Sequence, residues 1–220
     1  MFIGDHGEYN FAHGLQNMGI PAFREAYHVP VVARWPKGIV GSNRTVDDII
    51  WLADIAPTLI DVGEATSSDE KTGSSLAPFL FGESPGDWRD DWYSQTNGNE
   101  VYYTQRAVMT ERWKYVYNAF DYDELYDLRD DPSELVNLIH PSRYPQPTPF
   151  APQKEEPFQP LPRISPELEP VRREMMARIW EFALREKDTI FSAFAPVAVA
   201  SYGPMLGVER ARVRAEGTST

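Results

Sequence analysis

A dense cluster of prolines limits which parts of this chain can form a folded core. Residues 141–170 contain ten of its nineteen prolines. A segment of this composition wraps a surface or acts as a semi-rigid linker, but it does not build a core of its own. The sequence therefore predicts a folded part that ends at residue 140, a proline-rich connection over 141–170, and a further element beyond it.

That further element is predicted to be an amphipathic helix over residues 171–194. Its apolar side chains recur at helical spacing, at Val171, Met175, Ile179, Phe182 and Ala183. The charged residues between them have both signs, so packing on the preceding subdomain is favoured over binding to a membrane surface. Residues 195–220 are expected to form a tail.

Residues 100–140 have the pattern of a small antiparallel β subdomain. Short runs rich in β-branched and aromatic residues are separated by polar turns, and the predicted strands are 101–104, 106–109, 113–117 and 124–128. Their alternation predicts a meander with one buried face and one solvent-exposed face. Arg112 and Lys114 are interpreted as surface charges.

Residues 1–99 are predicted to belong to an α/β layer, because strand and helix patterns alternate along them. The predicted strands are 31–35 and 47–52, and the predicted helices are 22–27, 55–62 and a short piece within 76–82. Asp54 is the expected N-cap of the second helix. Residues 87–92 are expected to be a surface connection.

The stretch that most suggests chemistry is Asp5-His6, near the start of the chain. It follows the apolar residues 1–4, which are interpreted as the last residues of a buried strand, and the chain is therefore expected to be a fragment with a truncated N-terminus. In open α/β sheets, ligands bind beyond the carboxyl ends of the strands. A carboxylate and an imidazole side by side there could hold a metal ion. An ordinary turn is the alternative.

Composition excludes several classes of function. The net charge of −12 and the pI near 4.8 lack the basic footprint of a nucleic-acid-binding protein. Without cysteine, the chain has no disulfide framework, zinc–thiolate site or cysteine nucleophile. No apolar run approaches the length of a membrane span, and no signal peptide is visible. Localisation and oligomeric state stay open.

Several segments, in order, resemble one enzyme family. They are Asp5-His6-Gly7-Glu8 with His13-Gly14-Leu15, then EAYHVP at 25–30, DIAPTLID at 54–61, GSSLAPFL at 73–80, RWKY at 112–115, ELYDL at 124–128 and DPSE at 131–134. Together they are similar to the second metal-binding segment and the C-terminal subdomain of the type I sulfatases, of the alkaline-phosphatase-like superfamily. The nearest branch is that of the iduronate and choline sulfatases.

This resemblance implies a fold and a metal site. The fold is α/β: the C-terminal part of an alkaline-phosphatase-like α/β sandwich, plus the small antiparallel β subdomain with its packed C-terminal helix. Sulfatases hold one divalent ion, usually Ca²⁺, between an early Asp pair, an oxidised nucleophile and a later Asp-His or Asp-Asn pair, and Asp5 and His6 stand at that later pair. An imidazole ligand also suits Mn²⁺ or another transition metal.

Two features of the family are missing from the chain. The nucleophile is a Cys or Ser followed by Pro two residues later and by Arg four residues later, and no residue here has that pattern. No catalytic residue is therefore assigned, and formylglycine is expected only in a missing N-terminal half. Where the family has a sulfate-binding Lys, this chain has Met18. Arg24 is a candidate replacement, and His13 is a candidate substrate-binding residue or a plain surface histidine.

The remaining histidines are given simpler roles, since His28 is expected to be structural and His140 solvated. The predicted function is that of a sulfatase, with metal-dependent hydrolysis of a small-molecule or carbohydrate sulfate ester in the full-length parent and an inactive isolated chain. Two alternatives stay open. One is a phosphonate or phosphate ester hydrolase of the same superfamily, and the other is a non-catalytic relic or binding protein. No nucleic-acid partner and no membrane span are expected.

Overall fold

The computed structural model describes residues 1–41, 43–98, 103–119, 121–140 and 164–188. The chain divides into two compact units, Met1–Trp92 and Tyr93–Thr220. The described residues combine short helices with a two-stranded and a four-stranded sheet. Most of the predicted proline-rich connection (141–163) and the whole predicted tail lie outside the described residues.

In the first unit, strand β1 (Phe2–Ile3) pairs antiparallel with strand β2 (Val31–Val32), with Phe2 opposite Val32. The expectation that residues 1–4 end a buried strand is wrong for this chain, because the side chain of Phe2 is 67% exposed. Directly opposite residues share one face of a sheet, so Phe2 and Val32 form an exposed apolar pair on this ribbon. The strand predicted over 31–35 shrinks to two residues.

Three short helices complete the first unit. Helix α1 (Arg24–Tyr27) begins two residues later than predicted, because Phe23 is still extended. Helices α2 (Ile55–Val62) and α3 (Ala77–Leu80) lie where the sequence predicts them. Pro78 is tolerated in the first turn of α3, where backbone N–H groups lack helical partners.

The strand predicted over 47–52 is wrong. Residues 47–51 have no regular structure, and the chain then enters a 3₁₀ turn, Leu52–Asp54. The Asp54 carboxylate accepts the backbone N–H of Trp51 at 2.7 Å. A local side chain thereby satisfies a donor that a strand would offer to its neighbour. Asp54 does precede α2, but its side chain makes no cap hydrogen bond to that helix.

The described residues that follow form a four-stranded antiparallel sheet, in the order β3-β4-β5-β6. The strands are β3 (Asp91–Thr96), β4 (Gln105–Thr110), β5 (Trp113–Asn118) and β6 (Glu124–Asp127). The last three confirm the predicted meander. β3 begins at Asp91, so only the last two residues of the surface connection expected over 87–92 lie in a strand, which the aromatic residues of β3 favour. Part of the strand predicted over 101–104 lies outside the described residues.

Helix α4 (Glu169–Arg185) packs on one face of this sheet and closes the core of the second unit. The buried core residues are Val108, Tyr115, Leu125, Ile139, Met175, Met176, Ile179 and Trp180. Compared with the predicted 171–194, the helix starts earlier and ends at Arg185, because Lys187 adopts a left-handed conformation (φ 54°). Residues 189–194 lie outside the described residues. Across the described ranges, no helix combines the length and apolarity needed to cross a bilayer.

The opposite face of the sheet is also buried, which corrects the expectation of a solvent-exposed face. Ala107, Lys114 and Val116 on that face are each at most 2% exposed. Lys114 is not a surface charge: its Nζ donates to Glu134 Oε2 at 2.7 Å, and both side chains are buried. A buried ammonium group requires such a partner, because an unpaired charge there would be prohibitively costly.

Candidate metal and substrate site

Gly7 holds the loop that carries Asp5 and His6 against α1. The backbone N–H of Gly7 donates to Ala26 O at 2.8 Å. A Cβ at position 7 would lie 1.9 Å from Glu25 O, so only glycine fits there without moving the backbone. This close contact fixes the backbone at Gly7, the residue that follows His6, and therefore helps to fix the position of the predicted metal ligands.

Asp5 and His6 present two ligand atoms on one side of this loop. Asp5 Oδ2 lies 3.9 Å from His6 Nε2, and the side chains are 92% and 45% exposed. His6 Nδ1 lies 3.0 Å from Gly7 O. Because a carbonyl oxygen only accepts, Nδ1 must carry the proton, which leaves the Nε2 lone pair available. Asp5 Oδ1 accepts the backbone N–H of His6 at 3.0 Å.

This donor pair fits part of a metal site. Zinc–nitrogen bonds are about 2.0–2.1 Å long and calcium–oxygen bonds about 2.3–2.6 Å long, so a divalent ion of either size could contact two donor atoms that are this far apart. Metal-binding histidines usually donate their second ring N–H to a carbonyl or carboxylate, as His6 does to Gly7. Within the described ranges, no group of three or more His, Asp or Glu residues could hold a metal. Asp5 and His6 therefore supply two donors, and an ion here needs others.

His13 lies in the loop that follows, and it is not a plain surface residue. Its imidazole stacks on the Phe23 ring, with centroids 3.6 Å apart and planes 6° from parallel. Nε2 lies 3.6 Å from Glu25 Oε2, and the side chain is only 10% exposed. The loop itself is closed by Tyr9, whose hydroxyl donates to Pro21 O at 2.6 Å. Burial raises the pKa of this tyrosine, so it stays a neutral donor.

The other predicted groups have different surroundings. Arg24 Nη2 lies 3.2 Å from His28 Nδ1 on the exposed side of α1, with arginine as the donor. Met18 is 50% exposed and adds no charge to the loop. His140, expected to be solvated, stacks on Tyr122 at 3.9 Å and is half-buried. The substrate roles of His13 and Arg24 stay predictions.

The sequence did not indicate that two residues near the candidate site contact His13. Glu25 and Phe23 contact His13 across a gap of at least ten positions, and neither falls at a spacing that marks a ligand set. The match of EAYHVP to the family pattern includes Glu25 but does not indicate its partner. Only the tertiary contact shows that these residues surround the histidine.

A second group of titratable residues is buried in the second unit. Burial raises the pKa of the Asp123 carboxyl, although the Tyr115 hydroxyl donates to it. Burial likewise raises the pKa of Glu124, which accepts from Tyr126. Each carboxylate is hydrogen-bonded within the sheet, so these groups are accounted for by packing.

The chain is similar to a set of known proteins. Residues 19–148 match the family model described as N-sulphoglucosamine sulphohydrolase, C-terminal. The matched range begins after Asp5 and His6, so their assignment as metal ligands stays a prediction. A curated relative from Bacteroides thetaiotaomicron, named Delta 4,5-hexuronate-2-O-sulfatase, is 32% identical over 149 residues, which cover 66% of this chain and 31% of the relative.

Solved structures give the same picture. A structure described as a 2-O GAG sulfatase has a TM-score of 0.68 and 27% identity, covering 84% of this chain and 36% of the other. The phosphonate monoester hydrolase of Agrobacterium radiobacter has a TM-score of 0.66 and 26% identity, with 84% and 34% covered. These matches confirm the predicted α/β fold class. The chain spans about a third of the length of the curated relatives it matches.

Proposed function

We propose, from the premise that this chain belongs to the sulfatase family of the alkaline-phosphatase-like superfamily, that it contributes two metal ligands to a sulfatase active site. Asp5 and His6 are those ligands. The whole protein would hydrolyse a sulfate ester, and the relatives' names favour a sulfated carbohydrate as the substrate class.

One contact carries the assignment of His6. The Gly7 carbonyl fixes the ring as the Nδ1–H tautomer and leaves Nε2 free beside the Asp5 carboxylate. An Asp-His ion pair in a solvent-exposed loop would not need this arrangement, whereas a metal ligand does. Ca²⁺ is the first expectation, because the site begins with a carboxylate, and Mn²⁺ is the alternative that an imidazole also accepts.

Each residue would have a separate task. A bound divalent cation supplies positive charge where negative charge builds on the sulfuryl oxygens. Asp5 would hold and partly neutralise the cation, while His6 would fix its position through a ring that the Gly7 carbonyl orients. His13 would donate a hydrogen bond to the anionic group of the substrate, and Arg24 is a second candidate for that contact.

The second candidate function is hydrolysis of a phosphonate or phosphate ester. It is favoured by the similarity to a phosphonate monoester hydrolase and by the uncharged Met18 in the loop. A third candidate, a non-catalytic binding protein, would keep the fold and lose the chemistry. All three agree with the fold, so only activity separates them.

The test uses a chimera that joins the N-terminal part of the Bacteroides thetaiotaomicron hexuronate sulfatase to this chain. Initial rates are measured on 4-nitrophenyl sulfate and on 4-nitrophenyl phenylphosphonate, with Asp5→Ala and His6→Ala chimeras as matched controls. Faster sulfate hydrolysis that is lost in both variants is expected. Faster phosphonate hydrolysis would favour the second candidate. A folded chimera, checked by circular dichroism, that is inactive on both esters would favour the third.

A further inference from the structure

Glu25 touches both parts of the candidate site. Its backbone carbonyl packs on Gly7 so closely that a Cβ on that glycine would lie 1.9 Å away. Its side-chain Oε2 lies 3.6 Å from His13 Nε2. Gly7 in turn orients the His6 ring through its own carbonyl. A single residue therefore joins the predicted metal ligand to the predicted substrate residue.

The Glu25 carboxylate depends on His13 for compensation. Glu25 Oε2 is buried and has no hydrogen-bond partner among the described residues. Leaving a carboxylate oxygen out of water without a donor is costly, and more so than for a neutral group. An N–H on His13 Nε2, which lies within ion-pairing distance, offsets this cost without a full hydrogen bond.

His13 is held on its other side as well. The Phe23 ring stacks on the imidazole, and the His13 backbone adopts a left-handed conformation (φ 53°). A residue with a side chain adopts this conformation at a cost, which the surrounding contacts have to offset. A histidine with no role beyond the surface would need neither the stacked ring nor the buried carboxylate oxygen beside it.

We propose that Glu25 is a positioning residue that holds the His13 imidazole, through Nε2, against the loop that carries Asp5 and His6. Held in this way, with its Nε2–H directed at Glu25, the ring can donate a hydrogen bond to the anionic group of a sulfate ester only through Nδ1, in the form that carries a proton on both nitrogens. This inference rests on the proposed function, because it takes Asp5 and His6 as the metal ligands. Glu25 acts through His13 and does not itself touch the substrate.

Paramagnetic broadening by Mn²⁺ tests the positioning in the 220-residue chain. Mn²⁺ broadens the NMR signals of nearby nuclei, and the effect falls steeply with distance. The ring protons of His6 and His13 are assigned from their loss in His6→Asn and His13→Asn variants, and His28 and His140 serve as internal references. The compared proteins are the wild type, Glu25→Gln, Glu25→Asp and Glu25→Ala.

Glu25→Gln keeps an oxygen that can accept from Nε2, Glu25→Asp withdraws the carboxylate by one methylene, and Glu25→Ala removes it. His6 is expected to broaden first in all four proteins. At matched His6 broadening, His13 broadening is expected to be equal in wild type and Glu25→Gln, smaller in Glu25→Asp, and at least twofold smaller in Glu25→Ala. The His13 signals of Glu25→Ala should also lose the upfield shift that the stacked Phe23 ring produces.

Equal His13 broadening in wild type, Glu25→Asp and Glu25→Ala would overturn the positioning role and leave the metal pair intact. If Glu25→Ala does not fold, the comparison of Glu25→Gln with Glu25→Asp decides in the same way. A failure of the proposed function looks different: His6 would not broaden selectively, or its broadening would survive in Asp5→Ala.

Discussion

Replacing Asp54 with alanine is expected to cost the first unit a large part of its stability. The Asp54 side chain is fully buried, at 0% exposed. Its carboxylate accepts the backbone N–H groups of Trp51 at 2.7 Å and Ser74 at 2.8 Å. It also accepts from both terminal nitrogens of Arg89, whose guanidinium carbon lies 4.2 and 4.4 Å from the ring centroids of Trp51 and Trp88.

The magnitude follows from what the substitution leaves behind. Breaking a buried ion pair by removing one partner costs about 3–5 kcal/mol, because the other charge stays uncompensated. Each buried N–H that loses its acceptor costs about 1–3 kcal/mol. These costs overlap, since water can enter the space that the carboxylate leaves, so Asp54→Ala is expected to lower the free energy of unfolding by about 4 kcal/mol. Asp54→Asn, which keeps one oxygen acceptor, is expected to lower it by about 2 kcal/mol.

Urea unfolding followed by tryptophan fluorescence measures this change, because Trp51 and Trp88 flank Arg89. A double-mutant cycle with Asp54→Asn and Arg89→Met isolates the charge pair. We expect a coupling of at least about 1.5 kcal/mol, the lower end for hydrogen bonds to charged groups. The reasoning is refuted if Asp54→Ala unfolds within about 1 kcal/mol of wild type, the ordinary effect of a single substitution, or if the two substitutions are additive.

Three further outcomes are expected. Gly7→Ala should destabilise the chain by about 2 kcal/mol, as overpacking does, because its Cβ would collide with the Glu25 carbonyl; an unchanged thermal midpoint would contradict this. Hydrogen bonds from Arg112 lower the pKa of Asp127, so this carboxylate contributes stability that is present above about pH 4 and is lost as the pH falls through the lower folded-state pKa. Arg112→Met should therefore shrink the loss of thermal stability on acidification; an unchanged loss would contradict it. The 220-residue chain should hydrolyse 4-nitrophenyl sulfate no faster than its Asp5→Ala variant, and turnover that depends on Asp5 would refute the assignment of the nucleophile to another segment.

The sequence predicts those elements whose signal is local. The β4–β6 meander is recovered because β-branched and aromatic runs are separated by polar turns. Its register, in which Val108 pairs with Tyr115 and Tyr115 with Leu125, was not predicted. Helix α2 is recovered because an apolar run follows Asp54. Asp5 and His6 could be proposed because adjacent ligand types follow a short apolar segment.

Contacts between distant positions could not be predicted. Lys114 is interpreted as a surface charge because nothing near it in sequence shows that Glu134, twenty positions away, enters the same buried layer. The strand expected over 47–52 is wrong because the backbone N–H of Trp51 donates to the Asp54 carboxylate and not to a neighbouring strand. The sequence does not show which acceptor this N–H has. Glu25 was missed as a partner of His13 for the same reason.

Calorimetric titration of the 220-residue chain with Ca²⁺ and then Mn²⁺ tests most directly whether Asp5 and His6 are ligands of a shared metal site. With two protein donors, the expected dissociation constant is on the order of 10⁻³ M, as in weak extracellular calcium sites. Binding should be lost in Asp5→Ala and weakened in His6→Ala, while His28→Ala should bind as the wild type does. Identical binding by wild type and Asp5→Ala would contradict the assignment. Micromolar binding that depends on Asp5 would contradict the account of Asp5 and His6 as only part of a site.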